Sequence, residues 1–443
     1  MQTPTDKADI KKILSNLNIE QLNEMQLASL QAKENQDVIL LSKTGSGKTL
    51  AFLLPLLESL QKDIKGVQAM IIVPSRELAI QIDDVFRKMQ TGFKVTLCYG
   101  GHKREIEETN LLQAPAVIIG TPGRIADHIR RNNFSTELII KLILDEFDKS
   151  LELGFQEEME FIINSLKNIN KHTLTSATES VVIPEFIKIH EPLRLNFLDL
   201  VIENAIGLEV KTVFSEDKDK ANTLFNLICF LGNRSTIVFC NHRDSVERTS
   251  SILADKGIIN VFYHGGMEQQ ERDSALCKFR NGTSNVLVTT DLAARGLDIP
   301  NIRNIVHYHL PGSEDIFTHR NGRTARMEAS GTTYVIYSQD EELPEYITKD
   351  AAPQELNGNY PLPEKPKWST LFIAAGKKDK VNKIDIVGFM AQKGGLKKED
   401  IGLIEVKDFF SFVAIKKIKV SDVLRAIKDQ KIKNKKVKID VAK

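Results

Sequence analysis

A chain of 443 residues is too long for one compact core and predicts about three domains. Its 42% hydrophobic and 27% charged residues exclude a disordered or fibrous chain, and no apolar stretch approaches the roughly 20 residues of a membrane span, so no membrane partner is expected. Cys98, Cys229, Cys240 and Cys277 lie far apart without a Cys-x-x-Cys pair, and the N-terminus lacks an apolar signal core; neither zinc nor a disulfide framework is expected, and reduced thiols in a cytoplasmic protein are.

Taken in chain order, Val38-Ile39-Leu40-Leu41 reads as a strand, residues 42–49 as a glycine loop, and Leu50-Ala51-Phe52-Leu53-Leu54 as a helix. Strand candidates follow at 69–73, 95–99, 116–119, 142–144 and 172–175, with helical stretches between them. That alternation predicts an α/β domain over 1–200, a parallel sheet with flanking helices. A second alternating set, with strands at 235–240, 260–263, 285–289 and 304–308, predicts another over 205–342. Residues 343–368 carry Pro344, Pro353, Pro361, Pro363 and Pro366 and read as a linker. Strands at 370–375, 409–415 and 436–441 and a helix at 421–429 make 369–443 a small α+β domain. The net charge of +1 hides an asymmetry: residues 371–443 carry 19 Lys and Arg against 9 Asp and Glu, a net of +10, leaving −9 for the other 370. A basic tail on a mildly acidic body points to a polyanion, the alternative being a solvated lysine face.

Ser42-Lys43-Thr44-Gly45-Ser46-Gly47-Lys48-Thr49 sits between a strand and a helix, the setting a phosphate-binding loop requires. Thr44, Gly45, Ser46 and Gly47 curl backbone N–H groups toward phosphate oxygens, with the positive end of the helix behind them. Lys48 brings a point charge and Thr49 a hydroxyl for Mg²⁺. A hundred residues on, Leu142-Ile143-Leu144 delivers Asp145-Glu146-Phe147-Asp148. Asp145 is the expected Mg²⁺ ligand and Glu146 the residue that polarises the attacking water. The two halves in this order predict an NTP-hydrolysing protein.

Further motifs follow in chain order: Pro74-Ser75-Arg76-Glu77-Leu78-Ala79-Ile80-Gln81, Gly100-Gly101, Thr121-Pro122-Gly123-Arg124, Ser176-Ala177-Thr178, Gln269 with Arg272, Asp291 to Asp298, and His319 to Arg326. With these the chain resembles a DEAD-box RNA helicase across about 15–340, and its last 70 residues resemble the RNA-binding module of the DbpA/YxiN subgroup. The resemblance implies two tandem RecA-like domains plus an RRM-like domain, with ATP and Mg²⁺ as cofactors. It makes Arg323 and Arg326 arginine fingers, which without it read equally well as an exposed helix face. It gives Gly296 and Asp298 the ribose and Gln26 the adenine edge. Asp148, Ser176, Thr178, His319 and Arg320 become the coupling residues. Ser75, Arg76, Gly101, Thr121, Pro122, Gly123, Arg124, Gln269, Arg272 and Thr289 become RNA contacts, suited to phosphate and 2′-OH groups. In the tail, Lys433, Lys435 and Lys436 are candidates for phosphate attraction. Phe410 and Phe412, two apart, form either an aromatic platform or core.

The expected function is ATP-dependent RNA unwinding by a monomer, on ribosomal RNA during large-subunit assembly. The alternatives are an ATP-gated RNA clamp or annealing factor with little unwinding, and a DNA translocase of the same superfamily. Three departures stand out. No aromatic precedes Phe52 to stack on adenine, the Pro-Thr before Gln26 is replaced by Leu22-Asn23, and Phe147 stands where the family has Ala. A bulky ring there is expected to pack against neighbouring loops.

Overall fold

The computed structural model describes residues 10–43, 45–101, 103–178, 182–198, 208–291, 302–322, 331–433 and 435–442. The chain divides into two compact units, the described residues up to 198 forming one and those from 208 onward the other.

In the first unit α1 (Ile10–Leu17) and α2 (Glu24–Gln31) precede an alternating series: β1 (Val38–Ser42), α3 (Lys48–Ser59), β2 (Ala69–Ile72), α4 (Arg76–Lys88), β3 (Val95–Cys98), α5 (Arg104–Leu111), β4 (Val117–Gly120), α6 (Pro122–Arg130), β5 (Lys141–Leu144), α7 (Phe147–Glu152), α8 (Gln156–Ser165), β6 (Lys171–Ser176) and β7 (Leu193–Phe197). The strands form one parallel sheet in the order β3-β4-β2-β5-β6-β1-β7. Its central strands are buried at every position, as parallel strands between two helical layers must be. Alternate residues feed opposite layers: Met70, Ile72, Leu142 and Leu144 enter one apolar cluster, and Ala69, Ile71 and Ile143 the other. Phe147 packs into the first of these clusters at 2% exposure. The ring is therefore a core residue and does not rest on loops, because α7 starts directly at the strand end and points its first residue inward.

The second unit begins with β8 (Leu208–Ser215), α9 (Ala221–Leu231), β9 (Thr236–Cys240), α10 (Arg243–Asp255), β10 (Asn260–Tyr263), α11 (Gln269–Arg280), β11 (Val286–Thr290), β12 (Asn304–His307), α12 (Glu314–Asn321), β13 (Gly331–Ser338), α13 (Glu345–Thr348) and β14 (Ala351–Pro353). Its sheet is again parallel, ordered β10-β11-β9-β12-β13-β8-β14. The expected linker at 343–368 is corrected here. Ala351–Pro353 adds an edge strand to β8, where a proline without an N–H is tolerated, and Leu356 and Tyr360 pack on the core, Tyr360 5.2 Å from Phe230. Apolar and aromatic anchors turn the stretch into a strap along this domain.

The last part contains β15 (Trp368–Ile373), α14 (Lys383–Gln392), β16 (Ile401–Val406), β17 (Ser411–Lys416), α15 (Val420–Ile427), a hairpin of β18 (Lys431–Ile432) and β19 (Lys435–Lys436), and β20 (Ile439–Val441). Four antiparallel strands run β16-β17-β15-β20, with both helices and the hairpin packed on one face through Ile386, Met390, Val423, Ile427 and Ile432. The other face carries Phe372, Phe410 and Phe412, with ring centroids 5.5–5.9 Å apart. This face meets α11. Phe412 is fully buried beside Cys277 and Ala442. Arg280 reaches Glu405 at 3.2 Å, Lys407 reaches Asp273 at 3.5 Å, and Asn281 donates to the Thr370 hydroxyl at 2.8 Å. Burial opposes the Glu405 charge, yet Lys407 and Arg280 hold its carboxyl below the usual range. The aromatic trio is thus a platform in shape whose occupant is a helix of the same chain.

Cys277→Arg sets an unpaired guanidinium against Phe412, at a cost on the order of 3 kcal/mol. The module should swing free with both folds intact, seen as a larger radius of gyration in solution scattering and faster proteolysis between 354 and 367.

Candidate functional site

The order of the first sheet sorts its strand ends into two groups. Neighbours β5, β6 and β1 carry Asp145-Glu146, Ser176-Ala177-Thr178 and the glycine loop. Neighbours β3, β4 and β2 carry Gly100-Gly101, Thr121–Arg124 and Ser75-Arg76.

In the first group Gly45 and Gly47 have φ of 86° and 92°, the left-handed region. A Cβ on Gly47 would stand 2.6 Å from Gln26 Nε2 and would push the glutamine amide off the loop. Lys48 Nζ donates to the Ser42 carbonyl at 2.7 Å, and the Ser42 and Ser46 hydroxyls pair at 2.9 Å. Asn23 caps α2 in a reciprocal box with Gln26, and its Nδ2 also donates to Ser46 O at 3.0 Å. Gln26 is 6% exposed; its Oε1 accepts from Asn23 N and its Nε2 donates to Gly47 O at 3.2 Å. Gln26 thus ties α2 to the glycine loop. Asn23 was missed as a site residue although Asn-x-x-Gln ahead of a helix is a legible capping signal. Thr49 lies half-buried on the first turn of α3.

Asp145 is buried. Thr175 donates to its Oδ1 at 2.5 Å and accepts from Glu146 N at 3.0 Å, so one hydroxyl spans both acids. Burial, and then the Glu146 charge, push the Asp145 carboxyl up to about 6. Glu146 adopts φ 48°, ψ 49°, a left-handed conformation that costs a non-glycine residue about 1–3 kcal/mol. The buried Asp145 carboxylate and the Thr49 hydroxyl at the start of α3 are oxygen donors of the kind a hard cation takes. Asp148 is 4% exposed and neither of its oxygens accepts a hydrogen bond; burial raises its carboxyl, with Lys149 Nζ at 3.5 Å. Ser176 Oγ donates to Thr178 O and accepts from Thr178 N, both at 3.0 Å, which fixes the turn after β6.

In the second group Ser75 caps α4, accepting from Leu78 N at 3.2 Å, and the Arg76 guanidinium lies 4.7 Å from the Tyr99 ring centre. Thr121 and Pro122 start α6, Gly123 faces open space, and Arg124 pairs with Glu107 at 2.7 Å. Gly120 lets β4 approach β3, since a Cβ would meet Cys98 O at 2.0 Å.

In the second unit Gln269 and Arg272 occupy the first turn of α11, Arg272 Nη2 donating to Gln269 Oε1 at 2.5 Å. Thr289 is fully buried on β11, which is flanked by β10 and β9, and donates to Tyr263 O at 2.8 Å. His319 is half-buried on α12. Arg320 is 2% exposed; its Nε donates to Asp291 Oδ1, it binds Asp291 Oδ2, His309 O and Asn241 Oδ1 at 2.8 Å each, and His307 Nδ1 at 3.2 Å. Its donors are committed among the ends of β11, β9 and β12, so it can act on coupling only by holding those ends together. Thr44, Gly296, Asp298, Arg323 and Arg326 lie outside the described residues. Lys433, Lys435 and Lys436 are exposed in ion pairs with Asp385, Asp379 and Asp429. Such pairs are worth about 0–1 kcal/mol and can be exchanged for phosphate.

Residues 23–185 match the DEAD/DEAH box helicase family, 219–328 the helicase conserved C-terminal domain and 370–441 the DbpA RNA binding domain. The ATP-dependent RNA helicase DbpA of Escherichia coli (strain K12) is 31% identical, over 97% of this chain and 96% of its own. The chain belongs to the DEAD-box RNA helicases. It is an ATP-dependent RNA helicase with the RNA-binding module of the DbpA group. The ATP-dependent rRNA helicase RRP3 of Encephalitozoon cuniculi (strain GB-M1) is 36% identical to this DEAD-box helicase over 68% of this chain and 76% of its own. A solved structure of the DEAD-box helicase Mss116 bound to single-stranded RNA and UDP-BeF superposes with a TM-score of 0.66 at 26% identity, over 80% of this chain and 79% of that one. Both RecA-like domains are therefore as expected, and among the described residues no helix is long and apolar enough to cross a membrane.

His307 donates through Nε2 to Asn321 Oδ1 and accepts from Arg320 at Nδ1, so it is held neutral; burial, then Arg320, push it down to about 3. An unfolded histidine near 6.5 takes a proton that the folded one refuses. Stability is therefore complete above pH 6.5 and falls as pH drops toward 3. From His307 alone the loss at pH 5 is about 2 kcal/mol, visible as a lower urea midpoint than at pH 7 and flattened in His307→Asn.

Proposed function

We propose that this DEAD-box helicase loads onto structured ribosomal RNA through its C-terminal module and separates short duplexes beside it during assembly of the large subunit. The observation that carries this reading is the DbpA-type module seated on α11, whose first turn holds Gln269 and Arg272. The relative named an rRNA helicase supports the choice of RNA. The four buried, unpaired cysteines suit a reducing cytoplasm.

On this reading the glycine loop wraps the ATP phosphates, Lys48 leaves the Ser42 carbonyl for the β/γ-oxygens, and Asn23 and Gln26 release the loop as it does so. Thr49 and Asp145 would hold Mg²⁺, which neutralises phosphate charge when bound. Glu146, aimed by its left-handed backbone, orients the attacking water. Arg323 and Arg326 supply positive charge to the γ-oxygens, Gly296 and Asp298 approach the ribose, and the open carboxylate of Asp148 accepts a coupling hydrogen bond. Arg76, Gly101, Thr121–Arg124, Gln269 and Arg272 hold one strand by its backbone.

Glu146→Gln should lower ATP turnover by about 10²–10⁴-fold while ATP-dependent RNA binding persists; unchanged turnover would remove Glu146 from the reaction. For the ribosomal assignment, ATPase should half-saturate at a lower concentration of large-subunit rRNA fragments than of poly(A). Equal half-saturation on the two RNAs sinks that assignment.

A further inference from the structure

Cys98, Glu107 and His128 bring a thiol, a carboxylate and an imidazole within 4.8 Å of one another, all buried, at the edge of the RNA-facing strand ends. The residue types are those of a transition-metal site, but their hydrogen bonds describe something else. Glu107 Oε1 accepts from Tyr99 N at 2.9 Å. Its Oε2 accepts from Arg124 Nη1 and lies 2.7 Å from both that atom and His128 Nε2. Asn133 Nδ2, 2.8 Å from His128 Nδ1, donates to it, so the imidazole proton sits on Nε2 and points at the carboxylate. No imidazole lone pair faces the cluster, the carboxylate is already shared by three donors, and burial, then Glu107, raise the Cys98 thiol well above its usual range. A guanidinium occupies the place a cation would take.

What the carboxylate joins is more informative than what it lacks. Tyr99 is the residue before Gly100-Gly101, and its ring is the surface on which Arg76 lies at 4.7 Å. Arg124 closes Thr121–Arg124, and His128 is one turn further along the same helix α6. Glu107 itself belongs to none of these motifs; it sits on α5 at 1% side-chain exposure. A single buried charge thus fixes the backbone of one RNA-facing segment, the guanidinium of a second and, through the tyrosine ring, the guanidinium of a third.

We propose that Glu107 is the positioning residue of the RNA face, holding Arg76, Gly100-Gly101 and Arg124 in one arrangement before RNA arrives. The inference rests on the reading of those three segments as RNA contacts. A face organised in advance loses less side-chain freedom on binding, so its organiser acts on RNA affinity and leaves ATP chemistry alone.

Glu107→Gln keeps the shape but turns one acceptor oxygen into a donor facing either Tyr99 N–H or the Arg124–His128 pair. In the full-length protein, half-saturating RNA in the stimulated ATPase should rise at least about fivefold, the scale of one weakened charge-assisted contact, with kcat at saturating RNA and KM for ATP within about twofold of wild type. Arg124→Ala, measured beside it, should also raise the RNA requirement. If Arg124→Ala does so and Glu107→Gln does not, the positioning role is overturned and the RNA face stands. If neither moves, the RNA-face reading itself falls. A Glu107→Gln protein whose KM for ATP and thermal midpoint worsen together with RNA binding also overturns the proposal, because the carboxylate would then be supporting the whole domain.

Discussion

A parallel sheet covered on both faces leaves polar chemistry one place to go, the carboxyl ends of its strands. Most motifs of the first domain follow from that constraint. The central strands are buried at every position, and the glycine loop, Asp145-Glu146, Gly100-Gly101 and Thr121–Arg124 each begin within two residues of a strand end. Strand order then decides which motifs are neighbours. Because β6 lies between β5 and β1, the Thr175 hydroxyl can span Asp145 and the Glu146 amide, with the glycine loop one strand away. Because β4 lies between β3 and β2, the other half of the same edge gathers Arg76, Gly100-Gly101 and Arg124.

Both halves use buried charge for orientation. Asp145 is held near a titrating range by burial and a like charge, a state that favours capture of a cation. Arg320 does the corresponding work in the second domain, tying three strand ends together from inside. Breaking one partner of such a group leaves an uncompensated charge, so these residues hold geometry more firmly than any surface pair could. The module follows a different rule. Its aromatic face is stacked like a base-binding platform but is covered by α11, while Lys433, Lys435 and Lys436 stay exposed in surface ion pairs.

Much of this was legible in the chain. The glycine loop, Asp145-Glu146 and the alternation of strands and helices are local patterns, and the structure places them as the periodicity implies. Other elements were not. The proline-rich stretch after Ser338 read as a linker because its composition is that of a linker; Leu356 and Tyr360 find their apolar partners only on the folded second domain. Thr289 carries a motif-like hydroxyl, yet its direction depends on which strands flank β11. Phe412 could be platform or core until a helix from another domain covered it.

The sequence by itself determined where the glycine loop, Asp145-Glu146 and the other motifs fall, at the end of a strand or the start of a helix, because those signals are set by residues within a few positions of one another. Only the tertiary structure decided what those side chains are committed to: Gln26 to its own loop, Arg320 to three strand ends, Phe412 to α11, and Glu107 to three segments at once. Strand order and domain docking are long-range pairings that no local pattern encodes. A buried polar group must take its partners from whatever that packing brings within reach.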